Sequence, residues 1–369
     1  MHKALKTSHC KKGGKEKSSF FTRKEEVSVM KKACLGLIVP LMALSFVGWV
    51  ASETQAQTIK PLTYSCFFPE GHTQAKLAKA WCKEVEDRTK GKVKISFFPG
   101  GSLTKPPQCY DGVISKASDL GLSVLGFTPG RFPVIDTAGL PLGYTSGKIA
   151  TGVSNEVYRH FKPKEFSDTE VMYFFAHGPG FVHTKGKPVR RLEDMKNFRF
   201  RTQANTELIV RQLGGKYKPG TINEAYGMFQ RGEVDGSLHP LEANYGFKMG
   251  EVVNFITAAY PVAYTAVQFV VMNKERWKAL PDDIKGIIRE VNNEWIAQHG
   301  EAWDTIDAEG MRYFLDNGGQ IIGLDRNEAS RWKMAVAPII DDYVKILSEK
   351  GLNGQEIVDF TIKTLNSMQ

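Results

Sequence analysis

Cysteine is scarce in this chain. Its 369 residues hold five, and only Cys66, Cys82 and Cys109 lie beyond residue 57. An odd count excludes a complete disulfide framework, and a chain this long does not need one. No C-x-x-C pair occurs, so neither a zinc ribbon nor a thiol-redox motif is supported. Enzyme signatures are missing as well: there is no G-x-S-x-G, no H-E-x-x-H and no Walker loop. Ser102-Leu103-Thr104-Lys105 fits S-x-x-K, but that motif needs a helix to set Lys one turn from Ser. Pro106-Pro107 oppose helix there. No metal or cofactor is expected. Basic charge is thinner than it looks: the net charge is +9, of which +6 sits in residues 1–56, leaving +3 for the rest. No basic stripe remains to engage nucleic acid.

Long apolar runs are absent, with one exception. Met30-Lys31-Lys32 precedes an almost wholly apolar stretch from Ala33 to Val50, and Thr54-Gln55-Ala56 follows. A charged start, an apolar middle and a small-residue exit read as a secretory signal over residues 30–56, with a mature chain from about residue 57. The run is roughly 18 residues, at the short end for a membrane span. Its internal Pro40 and small-residue exit favour cleavage over an anchor. Residues 1–29 are polar and Lys-rich and read as an upstream extension of a chain that starts at Met30. The expected location is the periplasm.

Beyond residue 57 the patterns of strand and helix alternate. Residues 58–67 read as a strand. Residues 74–90 form a helix on the spacing of Leu77, Ala78, Trp81, Cys82 and Val85, stopped at Gly91. Strands are expected at 93–98, 120–125, 171–176, 181–184 and 199–202. Helices are expected at 107–117, 147–160, 205–213 and 223–231. Residues 258–272 carry strand character, and helices dominate from residue 274 onward. Repeated βα units indicate an α/β fold with mainly parallel sheets, whose ligands sit outside the carboxyl ends of the strands. The length suffices for two lobes, each with its own core.

Among candidate site residues Arg201 stands first. It ends a short strand with a helix following, where a guanidinium can clamp a carboxylate through two parallel hydrogen bonds. Arg199 and Arg201 are equally compatible with solvated strand positions. His239, in Gly236-Ser237-Leu238-His239-Pro240, is held extended by the proline at what reads as a turn. Its imidazole could meet a ligand or face solvent. Glu70 and His72 precede the first helix, whose amides could receive an anion or simply be capped. Aromatics crowd the ends of elements: Phe67, Phe127, Phe181, Tyr226, Tyr245 and Tyr264. Most such residues are core, and a few could wall an apolar pocket.

The order of these pieces resembles one family, the solute receptors of tripartite ATP-independent periplasmic (TRAP) transporters of the dicarboxylate-receptor type. Glu84 to Val93 (EVEDRTKGKV), Phe98 to Leu103 (FPGGSL) and the Phe132-Pro133 to Leu140-Pro141-Leu142 loop resemble its early segments. Leu192 to Arg201 (LEDMKNFRFR) is similar to its DLKGLKIR signature, and Glu224 to Gly236 (EAYGMFQRGEVDG) to EVYxALxxGxVDG. The resemblance implies two α/β lobes joined by crossing strands and a long helix. It places residues 57–178 and 267–306 in one lobe, and 179–266 and 307–369 in the other. It implies a non-catalytic receptor for a small organic acid, working with TRAP membrane permease subunits. The carboxylate-binding arginine falls on Arg201, and a ligand-side residue on His239. Sialic-acid receptors of the family carry a second arginine where this chain has Phe181, which implies a less polar ligand and disfavours a dianion. Phe67, Phe127, Phe181 and Tyr264, with Thr265 beside it, are the implied apolar wall. His72 and its helix N-terminus would add polar contacts. The family's strand order would let Cys66 meet Cys109 if any bridge forms. Two alternatives stay open: a sensor subunit of a membrane kinase with the same pocket, and a secreted hydrolase, for which Cys66 with His72 is the least poor candidate pair.

Overall fold

The computed structural model describes residues 59–203 and 205–369. The upstream extension at 1–29 and the signal segment at 30–56 lie outside the described residues. The strands are β1 (Leu62–Cys66), β2 (Ile95–Phe98), β3 (Leu120–Val124), β4 (Thr169–Ala176), β5 (Gly180–Thr184), β6 (Arg199–Thr202), β7 (Lys216–Pro219), β8 (Gly236–Pro240), β9 (Phe255–Ala258), β10 (Val267–Asn273) and β11 (Gln320–Gly323). The helices are α1 (Thr73–Arg88), α2 (Cys109–Ile114), α3 (Gly147–Phe161), α4 (Asn205–Gln212), α5 (Ile222–Gln230), α6 (Ala243–Gly246), α7 (Lys274–Lys278), α8 (Asp282–Asp316), α9 (Arg326–Glu349) and α10 (Gly354–Met368).

Two sheets organise the molecule. The first runs β2-β1-β3-β10-β4 and the second β11-β9-β5-β8-β6-β7. The βα units give parallel pairs at β1–β2, β1–β3, β6–β7, β6–β8 and β9–β11. Antiparallel pairs enter where the chain passes between sheets: β10 against β3 and β4, and β5 against β8 and β9. The sheets are therefore mixed, with more antiparallel pairing than the alternating pattern alone suggests. The two crossings, β4 into β5 and β9 into β10, are pinned together by a bridge between Gly180 and Tyr264. A Cβ at Gly180 would collide with the Tyr264 ring, so only glycine lets that ring lie there.

Helix α8 is the longest element, 35 residues and so about 52 Å. Ile284, Ile288, Val291, Trp295, His299, Trp303, Ile306, Gly310 and Phe314 are its buried stripe, repeating every three or four residues. It packs on α1, α3 and β4 beside the first sheet and on α6 beside the second. Gly147 at the start of α3 lets α8 approach, since a Cβ there would strike Trp303. At the other end of the chain, α10 packs against α3, and α9 against α4.

Several elements differ from the sequence reading. The glycine-rich stretch after α4 becomes the exposed edge strand β7, and residues 236–240 form the central strand β8 rather than a turn. In the C-terminal stretch read as helical, Gly318 in the left-handed region (φ 82°) ends α8 and admits β11. Cys66, Cys82 and Cys109 are free and buried, so the Cys66–Cys109 bridge is not formed. Cys66 ends β1, and Cys109 opens α2 beneath β3.

Candidate ligand-binding site

A narrow cleft, with a cavity of about 50 Å³, lies between the carboxyl ends of β1 and β3 in the first sheet and of β6 and β8 in the second. Phe67, Phe68, Val124 and Gln268 line it from the first sheet, Arg201, Gln203, Leu238 and His239 from the second, and Trp303 from α8.

Register explains the polar end. Arg201 on β6 pairs with Ser237 on β8, so His239, two residues on, shares its sheet face. Arg201 is buried, and its neighbours are neutral. Nε donates to Gly220 O (2.9 Å), Nη1 to Leu238 O (3.3 Å) and Nη2 to Gln203 Oε1 (2.5 Å). Each terminal nitrogen keeps a second N–H for another acceptor. Among the described residues no carboxylate touches the guanidinium. Burial lowers its pKa to about 10, opposed by Tyr264 and the exposed Glu224, so it stays charged at neutral pH.

The histidines around this cation are neutral. Burial first, then His183 and Arg201, hold His239 well below the usual imidazole range. Its Nδ1 meets Ser237 Oγ at 3.0 Å, while Nε2 has no partner among the described residues. His239 stacks on His183 at 3.5 Å between ring centroids, and burial takes His183 down to about 3. His177, just past β4, is lowered to about 4, chiefly by burial. Its Nε2 accepts from Ala266 N (2.9 Å), so the proton sits on Nδ1, which donates to Gly178 O (2.5 Å).

The opposite end carries a different pair. His72 caps α1, its Nδ1 accepting from Gln74 N at 3.1 Å. The ring proton therefore sits on Nε2, which donates to Glu242 Oε1 at 2.6 Å. Glu242 N in turn donates to Asp307 Oδ1 on α8 at 2.8 Å. Burial, with Glu242 and Asp304 adding to it, raises the Asp307 carboxyl well above the usual range.

The structure thus brings together Arg201, His239, Phe67 and Tyr264. It places the other expected residues elsewhere. Phe181 faces His239 across β5 and β8 but is 2% exposed, packed on Tyr260 in an apolar cluster with Met249 and Ala243. Phe127 stands behind Phe67, edge to face at 5.7 Å. Glu70 is exposed and pairs with Lys79 at 3.8 Å. His72 is spent on its cap and on Glu242, which itself lines the cleft. Thr265 donates to His177 O (2.5 Å) and faces a smaller adjoining pocket with Asp136 and Asn205. Gln203, His177, Gln268 and Trp303 line the cleft without having been singled out from the sequence. His177-Gly178-Pro179-Gly180 directly after an apolar strand was a usable signal, as was Gln268 interrupting the apolar run of β10. The Cys66–His72 pair has no catalytic geometry: burial pushes the Cys66 thiol far up, and both imidazole nitrogens of His72 are engaged.

Two lobes meeting at a cleft that carries a buried arginine define a solute receptor. The family model of bacterial extracellular solute-binding proteins, family 7, matches residues 64–346, and the chain belongs to that family. It is a receptor of the TRAP type. A TRAP solute-binding protein from a marine metagenome, specific for aromatic acid ligands and solved with metahydroxyphenylacetate, is 26% identical with a TM-score of 0.79. The match covers 84% of this chain and 99% of that one. A TRAP periplasmic solute-binding protein from Desulfovibrio salexigens, solved as an open complex, is 26% identical with a TM-score of 0.75, covering 84% and 96% of the two chains. The outer membrane transporter protein TsaT of Comamonas testosteroni is 23% identical over 89% of this chain and 96% of its own.

Proposed function

We propose that the protein captures a small monocarboxylic acid in the periplasm and hands it, unchanged, to the membrane permease subunits of a TRAP transporter. One observation carries this reading. Arg201 is a buried charge held, among the described residues, by neutral oxygens alone, with one N–H on each terminal nitrogen still to place. Burying an uncompensated charge is costly, and a carboxylate bound two-point would offset that cost. His239 Nε2 lies on the same face as a further contact. Phe67, Phe68, Val124 and Phe247 suit an apolar body, and the aromatic-acid specificity of the marine metagenome relative supports the same ligand class. Residues 30–56 would direct export and be removed. The lobes are residues 57–178 with 267–306 and residues 179–266 with 307–369. A ligand that touches both sheets favours their closed arrangement by differential contact, with no catalytic step required.

A thermal-shift panel of aliphatic, aromatic and hydroxy acids tests the reading. A cognate acid at a hundredfold excess over Kd adds about 2.7 kcal/mol of stability. A panel in which sugars or amines raise the melting temperature and no carboxylate does would overturn it.

A further inference from the structure

Phe181, the expected bar to a dianion, lies outside the cleft. Another residue inside it can exclude a second carboxylate. Of the side chains lining the cleft, only Arg201 and Glu242 carry a full charge. His177 and His239 are held neutral by burial, and the rest of the lining is apolar or uncharged.

Glu242 is 3% exposed, and its place is fixed from several directions. Its N donates to Asp307 Oδ1 at 2.8 Å, and its Oε1 accepts from His72 Nε2 at 2.6 Å. A Cβ at Gly310 would collide with the Glu242 backbone, and one at Gly246 with Oε1. Helices α8 and α6 thus close on it from two sides, and the carboxylate is not free to swing into water. Among the described residues its Oε2 meets no donor, and no lysine or arginine lies within ion-pair distance of it. His72, whose Nδ1 accepts from Gln74 N, brings a hydrogen bond but no charge.

The cleft is therefore bipolar, with one fixed cation and one fixed anion around a small space. A ligand's first carboxylate has Arg201. A second would find no other cation in the lining and would share the space with Glu242. Like charges brought together out of water repel strongly, and a buried carboxylate without a partner is costly. An uncharged tail meets neither cost. We infer that Glu242 is a specificity-determining residue, a charge filter that keeps dicarboxylates out of the cleft and leaves it to monocarboxylates. This inference rests on Arg201 taking the ligand's carboxylate.

Pairs of equal shape separate charge from fit. Calorimetric titration at neutral pH compares succinate with its monoamide, and terephthalate with its monoamide. Each pair is measured on the wild type, on Glu242→Gln and on Glu242→Leu. In the wild type the monoamide of at least one pair is expected to bind on the order of thirtyfold more tightly than the diacid. Both variants should shrink that ratio to about threefold or less. A change in stability or in lobe closure acts on both members of a pair alike, so the ratio reports the charge and not the fastening to His72. Melting curves identify a variant that fails to fold, and the other variant then decides. A wild type that binds a diacid as tightly as its monoamide, or a preference that survives in a folded variant, overturns the filter. If no member of either pair binds but the wider panel yields a carboxylate ligand, this inference falls alone. If no carboxylate binds at all, it falls together with the reading beneath it.

Discussion

At the β6–β8 end of the cleft, Arg201 is surrounded by carbonyl and amide oxygens, and His239 has a nitrogen to spare. At the α1 end, His72 and Glu242 have each other, and Asp307 ties them to α8. Both ends are buried and polar, but they differ in sign and in what is left over: the guanidinium keeps an N–H on each terminal nitrogen, while the Glu242 carboxylate accepts from the neutral His72 ring. The α1 end joins residues 170 positions apart, from an α1 cap beside the first sheet to a residue following β8 in the second. It reads as a fastening between the two sides. The Arg201 end reads as the place where a ligand supplies what the chain withholds. A buried charge is thus not a ligand signal by itself; the donors left over are what set Arg201 apart from Glu242.

The comparison breaks most directly at Arg201. Arg201→Met should abolish carboxylate binding by calorimetry, a loss of at least about a hundredfold, since two charge-assisted bonds at roughly 1.5–3 kcal/mol each disappear. The circular dichroism spectrum should remain folded. Retained affinity would move the ligand away from β6. At the other end, Glu242→Leu should act first on stability. It strips His72 Nε2 of its buried acceptor, and urea unfolding should show a loss of about 1–3 kcal/mol, with affinity falling less than in Arg201→Met. An affinity loss as large as that of Arg201→Met, with unchanged stability, would make Glu242 a ligand contact and erase the distinction. The smallest effect is expected at Phe181→Leu. Phe181 packs on Tyr260 outside the cleft, so carboxylate affinity should stay within about twofold while stability falls by about 1–2 kcal/mol.

How much of this could be read from the sequence depended on how local each signal was. Arg201 was legible because a short strand ending in Arg before a helix is a local pattern, and β6 forms where the pattern puts it. His239 was legible as a residue but not as a place. Two short segments, Gly236–Pro240 and Lys216–Pro219, are strands only because β5 and β6 lie ready to pair with them. That tertiary override leaves no periodicity to detect. Phe181 was misjudged for a related reason. The family resemblance put it at the ligand, but the cluster around Met249 and Ala243 that claims the ring comes from distant chain. Trp303 was invisible. It occupies a regular position in the buried stripe of α8, and the pattern that buries a tryptophan in a core also buries one in a cavity wall. Glu70 and His72 marked the correct helix start, but capping, not anion capture, is what that start is used for.

The three buried thiols have a consequence of another kind. Cys66 on β1, Cys82 on α1 and Cys109 at the start of α2 have no bridge among them, and burial holds each thiol far from the reactive thiolate form. Their chemistry is therefore gated by the integrity of the fold around β1 and β3. An alkylating reagent added to the native protein would record how often that sheet opens, so the thiols act as a clock for unfolding on the first-sheet side, beside the cleft whose contents they would help to report.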